Sequence, residues 1–198
     1  MPQTILNIAG GKIEPIDVDL EPHFLVNVDK MYYSKTTPEM VEEELKTWML
    51  QGTKTFNVAE DAYQFMERTA IWFDRVCVYR FLEHIPMDKV LYFIYLLSTV
   101  TQKGAEIDVI VPNYETLAHM ILSEESNIKT SMIDFEAHNI ELTTELLNEP
   151  YCPHASVWTK WRAHHFFQLE KRFAVTGYDP NFEFDGRDVY LRFIAERL

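Results

Sequence analysis

Gly10 and Gly11 close a short apolar run, and Asp29 stands at the end of a second apolar run about 20 residues later. Glycines at a strand end let the backbone come close to a ligand, because no Cβ stands in the way, and Ala9 in the same turn is the smallest side chain after glycine. A carboxylate at the next strand end can accept hydrogen bonds from both hydroxyls of a ribose. Glu60 and Asp61, followed by Ala62, supply carboxylates after a third apolar run, suited to accepting from an amino group. His84 adds an imidazole, whose ordinary pKa of about 6.5 suits proton removal near neutrality. Each group also has a plainer reading. Paired glycines mark tight turns, an Asp at a strand end forms turns, Glu60 or Asp61 can cap a helix, and His84 can hydrogen-bond to backbone beside Glu83.

The elements that must position these groups alternate between strand and helix. Apolar runs predict strands at residues 4–8, 24–28, 53–58, 72–79 and 107–111. Thr37, then Pro38, then apolar Met40, Val41, Leu45, Trp48 and Met49 predict a capped helix to about Leu50, closed by Gly52. Residues 60–69 read as a helix with Ala62, Phe65 and Met66 on one face, and residues 86–101 as a third helix ending near Gly104. This order predicts an α/β, doubly wound, Rossmann-like and mainly parallel sheet with helices on both faces.

After Pro112 the pattern changes. Residues 114–123 and 132–148 read as consecutive helical stretches with no strand between them, and 157–172 as a further helix, so 114–165 is expected to be a helical, lid-like region on the substrate side. Apolar strands at 173–178 and 189–195, joined by a loop containing Pro180 and Gly186, predict a closing antiparallel hairpin.

A length of 198 residues suits one domain, residues 1–198. The net charge of −13 argues against an unassisted grip on nucleic acid, which needs clustered Lys and Arg. Cys77 and Cys152 are the only cysteines and form no CxxC motif, which fits a reducing compartment rather than a disulfide framework. The start has no basic stretch ahead of an apolar run, and no run reaches about 18 apolar residues, so neither secretion nor a membrane span is predicted and a cytoplasmic location is expected. No HExxH motif is present, and a metal site is not predicted.

Four segments, in order, resemble the class I S-adenosylmethionine-dependent methyltransferases, and in particular the small type 11-like members. Ile5-Leu6-Asn7-Ile8-Ala9-Gly10-Gly11-Lys12 is similar to the first-strand motif hhNhGxGK, with Gly11 at the second motif glycine and Ala9 at the first. Val26-Asn27-Val28-Asp29 resembles the second-strand motif, and Glu60-Asp61-Ala62 the family's Asp-Ala pair. Phe73-Asp74-Arg75-Val76 followed by Phe81-Leu82-Glu83-His84-Ile85-Pro86 looks like the FDxI and LEHIP run, and Lys103-Gly104 with Val109-Ile110-Val111-Pro112-Asn113 like the KPGG and VPN segments. The matches span roughly residues 4–113.

The resemblance implies S-adenosylmethionine as cofactor. It implies a cofactor site formed by Ala9, Gly10, Gly11, Asp29, Lys30, Met31, Asp61, Ala62, Arg80 and Leu82, with Asp29 on the ribose and Asp61 on the adenine amino group. It also implies methyl transfer to a small molecule or glycan. His84 is the candidate base on its ordinary pKa, and Asn113, Tyr114 and His154 are candidates on the acceptor side because ligands of doubly wound sheets sit beyond the carboxyl ends of the strands. His119, His138, Trp158, Trp161, His164 and His165 are further candidates for a cleft wall, and aromatics of the 157–172 helix for a homodimer surface. Pro15 and Pro22 leave little room for a helix after the glycine turn. A pyrophosphate would depend on such a helix N-terminus, so its loss favours the methyl donor over NAD, the rival suggested by the Asp29 spacing. The alternative on the same fold is a degenerate, noncatalytic binding module.

Overall fold

The computed structural model describes residues 3–8, 15–16, 22–32, 34–48, 52–116, 118, 155–184 and 187–198. Seven strands form one sheet: β1 (Gln3–Ile8), β2 (His23–Val28), β3 (Lys54–Val58), β4 (Phe73–Tyr79), β5 (Thr101–Pro112), β6 (Phe173–Phe184) and β7 (Arg187–Arg197). Their order is β3-β2-β1-β4-β5-β7-β6. The first five pair in parallel, whereas β7 runs antiparallel to both β5 and β6. The mainly parallel sheet and its closing hairpin are thus as expected from the sequence.

Four α-helices are described: α1 (Pro38–Thr47), α2 (Ala62–Arg68), α3 (Met87–Thr99) and α4 (Lys160–Leu169). Their starts follow capping chemistry. Thr37 accepts from the Met40 N–H with Pro38 in the first turn, Asp61 accepts from the Tyr63 N–H, and Thr159 accepts from the Arg162 N–H. All four helices bury side chains in one large cluster, with Val41, Phe65, Phe93 and Phe167 packed on a face of the sheet that includes Leu6, Val26, Val76, Val109 and Phe193. A fully buried Phe or Leu of this kind contributes roughly 1.5–3 kcal/mol. Among the described residues no helix is long and apolar enough to cross a membrane.

Three boundaries differ from expectation. Helix α3 ends at Thr99 and β5 begins at Thr101, so Gly104 lies inside a strand and not beyond a helix. Its φ of 82° falls where the register jumps from Phe73↔Thr101 to Arg75↔Glu106, an irregularity that a glycine backbone accommodates. Pro180 lies within β6, not in a loop. It is tolerated because β6 is an edge strand and the pairing shifts between Asp179 and Phe182. Helix α4 starts at Lys160, after an extended approach in which Trp158 is fully buried. Of the helical stretches expected at 114–123 and 132–148, residues 114–116 and 118 are described and helical, and the rest lie outside the described residues.

The opposite face of the sheet carries a smaller apolar cluster of Ile5, Leu25, Cys77, Tyr79, Ile110 and Tyr190, and a polar layer. One register row runs Asn57, Asn27, Asn7, Cys77, Asp108 across five parallel strands. Within it the Asn7 amide donates to the Asn27 carbonyl and the Asn27 amide to the Asn57 carbonyl, each at 2.9 Å. Asp108, fully buried, accepts from Arg75 at 2.6 Å and from Tyr79 at 2.7 Å. The Arg192 guanidinium meets both of its oxygens, Nε at 3.0 Å and Nη2 at 2.9 Å. This two-pronged contact is the strong form of ion pair and ties β7 to β5, while Arg75 and Tyr79 tie β4 to the same carboxylate.

Candidate functional site

The parallel register decides which residues share an edge. Ile8, Val28, Val58 and Val78 are partners along one row, so the carboxyl ends of β1, β2, β3 and β4 lie side by side. In open α/β sheets ligands bind beyond those ends, at the point where strand order reverses, which here lies between β1 and β4.

Asp29 follows β2 directly and is half-buried. Its N–H donates to the Val58 carbonyl at 3.1 Å, and its Oδ1 accepts the Met31 N–H at 2.8 Å, so backbone contacts set the carboxylate's orientation. Lys30 is exposed and Met31 is 72% exposed in the same turn, which closes with the Tyr32 N–H on the Asp29 carbonyl. Burial, and secondly the Asp29 charge, push the Tyr32 phenol above its ordinary pKa.

Asp61 is exposed at the start of α2, where its Oδ1 caps the Tyr63 N–H at 2.9 Å. The capping reading of this residue is therefore fulfilled, and Ala62 behind it is buried. Lys30 and Asp61 line a common cleft of about 580 Å³ with Thr36, Thr37, Ala59 and Gln64. Sequence reasoning missed the contribution of residues 34–37 to this wall. The signal was the hydroxyl run Ser34, Thr36, Thr37, of which only Thr37 read as meaningful, and only as a helix cap.

Arg80 follows β4 with φ 53°, in the left-handed region that is costly for a side chain bearing a Cβ. Its N–H donates to the Ile110 carbonyl at 2.8 Å, and strain of this sort concentrates at functional turns. Leu82 is fully buried at the start of a 3-10 turn that ends at His84, which is half-buried. The turn is stitched to the chain returning from the excursion beyond β5. The Glu83 carbonyl accepts the Ala155 and Ser156 N–H groups at 2.7 and 2.9 Å, and the Leu82 carbonyl accepts the Ser156 hydroxyl at 2.9 Å.

Asn113 is 1% exposed, and its carboxamide is engaged within the protein. It donates to the Pro180 carbonyl at 2.6 Å and accepts from the Glu115 and Thr116 N–H groups. Tyr114, beside it, is half-buried and donates its N–H to the Trp158 carbonyl at 3.3 Å. Trp158 itself belongs to the core, whereas Trp161 is 66% exposed and stacks on His165. Ala9, Gly10, Gly11 and His154 lie outside the described residues, as do His119 and His138.

The sequence matches no family model and no curated protein. Solved structures match over nearly the whole chain. An S-adenosylmethionine-dependent methyltransferase from Methanosarcina mazei aligns with 99% of this chain and 92% of its own, at 16% identity and a TM-score of 0.57. The 1,6-didemethyltoxoflavin N1-methyltransferase of Burkholderia thailandensis, solved with S-adenosylhomocysteine, aligns with 99% of this chain and 71% of its own at 12% identity and a TM-score of 0.54. The N-methyltransferase NodS of Bradyrhizobium japonicum, also solved with S-adenosylhomocysteine, covers 98% of this chain and 77% of its own at 14% identity and a TM-score of 0.52.

The fold is that of the class I methyltransferases.

Within the methyltransferase fold, Asp29, Asp61 and Arg80 occupy the ends of three different parallel strands, or the turns directly after them, on one side of the molecule. The described chain between β1 and β2 comprises Pro15, Ile16 and Pro22.

Proposed function

We propose that this protein binds S-adenosylmethionine at the carboxyl ends of β1 to β4 and transfers its methyl group to an oxygen, nitrogen or carbon of a small molecule or glycan. One observation carries the reading: the shared register row of Ile8, Val28, Val58 and Val78, which brings the carboxyl ends of four strands to a single edge.

The residues present fit such a donor. A ribose diol needs an acceptor at the end of β2, and Asp29 offers a carboxylate there whose orientation the Met31 N–H fixes. The adenine amino group needs an acceptor after β3, which Asp61 supplies, while Lys30 and Met31 flank the base. Ala9, Gly10 and Gly11 take the methionine part, with Arg80 and Leu82 below it. The donor supplies an electrophilic methyl group. The chain supplies in-line placement of the acceptor, worth far more here than proton chemistry, and His84 takes the acceptor's proton on an imidazole nitrogen. Tyr114 and His154 face the acceptor, and Asn113 serves by fixing the start of the Tyr114 turn.

In this reading residues 1–198 form one domain, with 114–165 as its acceptor-side helical region. The net charge of −13 turns the choice of acceptor away from polyanions, and the chain works in the cytoplasm, with a homodimer as its assembled form.

The test is calorimetric titration with S-adenosylmethionine, S-adenosylhomocysteine and NAD in parallel. Selective micromolar binding of the two sulfur ligands supports the proposal, and preference for NAD or binding of none overturns it. Sulfur-ligand binding without turnover of any acceptor would instead mark the noncatalytic module that Ala9 suggests.

A further inference from the structure

Among the described residues, the 3-10 turn Leu82–His84 receives more hydrogen bonds from a distant stretch of chain than it closes within itself. Its own bonds run from the His84 N–H to the Phe81 carbonyl at 3.0 Å and from the Ile85 N–H to the Leu82 carbonyl at 3.1 Å. Bonds of this 3-10 kind have poor geometry. From outside, the Ala155 and Ser156 N–H groups reach the Glu83 carbonyl at 2.7 and 2.9 Å, and the Ser156 hydroxyl reaches the Leu82 carbonyl at 2.9 Å across 74 positions of sequence. The direction of that last bond is forced. An indole N–H can only donate, and Trp158 Nε1 lies 2.9 Å from the Ser156 oxygen, so the oxygen accepts there and spends its proton on Leu82. Ser156, Leu82, Glu83 and Trp158 are all buried, so water does not compete for these groups.

We propose that Ser156 is a positioning residue for this turn: its hydroxyl fixes the Leu82 carbonyl, and with it the placement of Leu82 and His84 beyond the carboxyl end of β4. The two N–H bonds to Glu83 would survive almost any side chain at positions 155 and 156, whereas the hydroxyl bond is the part that residue type decides. Arg80 before the turn is pinned to the Ile110 carbonyl and Ile85 after it is buried, which leaves the turn's own carbonyls as the part to be set. Methyl transfer depends on in-line placement and tolerates little drift in the groups around the methyl. The consequence for donor binding rests on the donor reading above, whereas the setting of the turn does not.

Ser156→Ala alone would strand the buried Trp158 N–H and so mix positioning with stability. Trp158→Phe removes that donor first and serves as the background, since Ser156 still holds Leu82 in it. When Ser156→Ala is added to Trp158→Phe in the full chain, the His84 ring-proton resonance, assigned by its loss in His84→Gln, should move relative to the background. S-adenosylhomocysteine should bind about three- to tenfold more weakly by calorimetry, the range expected for one lost hydrogen bond. An unmoved resonance overturns the positioning role. A moved resonance with background affinity overturns its consequence for the donor. A wild-type chain that ignores S-adenosylhomocysteine overturns the donor reading, while the resonance still reports on the turn. Should the double variant not fold, Ser156→Cys, with a weaker S–H donor in nearly the same shape, should move both readouts in the same direction, and wild-type values in it overturn the proposal.

Discussion

The Asn113 carboxamide and the Pro180 carbonyl are 2.6 Å apart, which pins the carboxyl end of β5 to the bend of the edge strand β6. The same carboxamide caps the turn beginning at Tyr114. Asn113→Ala should therefore lower stability by about 1–3 kcal/mol, since it removes the bond to the Pro180 carbonyl and a cap together. Thermal unfolding of the ligand-free variant should show a drop of roughly 2–10 °C. A variant as stable as wild type that loses only acceptor binding would return Asn113 to the acceptor site.

Asp29→Asn isolates the charge of that side chain from its shape. The substituted amide still offers an oxygen to the Met31 N–H, so the turn should persist, while the hydrogen bonds to a ribose lose their charge assistance. S-adenosylhomocysteine affinity should fall by roughly 1–3 kcal/mol with no change in the unfolding temperature. Calorimetric titration decides it, and unchanged affinity would take Asp29 out of the site.

Burial pushes the Cys77 thiol up to about 12. The folded state then keeps this proton after the unfolded chain has begun to release it, so the stabilisation is complete below about pH 9 and is lost as pH rises towards 12. In denaturant titrations across that window, the unfolding free energy should decline by up to about 1.4 kcal/mol per pH unit from this group. Tyr63, raised to about 12 chiefly by burial, acts in the same direction. Cys77→Ala should flatten the decline, and an identical slope in the variant would show that the thiol is not responsible.

Lys171 is exposed with φ 59° just after α4, where its N–H meets the Gln168 carbonyl at 3.1 Å. Glycine adopts that conformation without steric cost. Lys171→Gly should raise stability by about 0.5–1 kcal/mol, measurable as a shift in the urea midpoint, whereas a loss would mean that the lysine chain contributes contacts outweighing the backbone strain.

The succession of strands and helices along the chain and the acidic residues at strand ends were legible because each depends on a local pattern: an apolar run, a breaker, a capping residue. Gly104 shows where that stops. A glycine after an apolar helix reads as its terminator, yet here it serves a strand irregularity, and only the pairing with β4 tells the two apart. Asp108 was hidden in the same way. Inside Ile107-Asp108-Val109 it looks like an interruption of a buried strand, since its partners Arg75, Tyr79 and Arg192 come from two other strands, one of them 84 positions away. The candidate site was legible as residue types, whereas the cleft wall at Thr36 and Thr37 and the strained Arg80 needed the backbone itself.

The three asparagines of the polar row do something that the apolar pattern of β1, β2 and β3 cannot. A slip of one residue would turn every core side chain towards the other face and is excluded by hydrophobicity alone. A slip of two would preserve the alternation, and little in the apolar sequence forbids it. It would break the amide contacts Asn7–Asn27 and Asn27–Asn57 and move Asp29 about 7 Å along the sheet from its place beside the end of β1. The ladder thus acts as a proofreading mark for alignment, checking the offset that burial leaves ambiguous and on which the shared edge of Ile8, Val28 and Val58 depends.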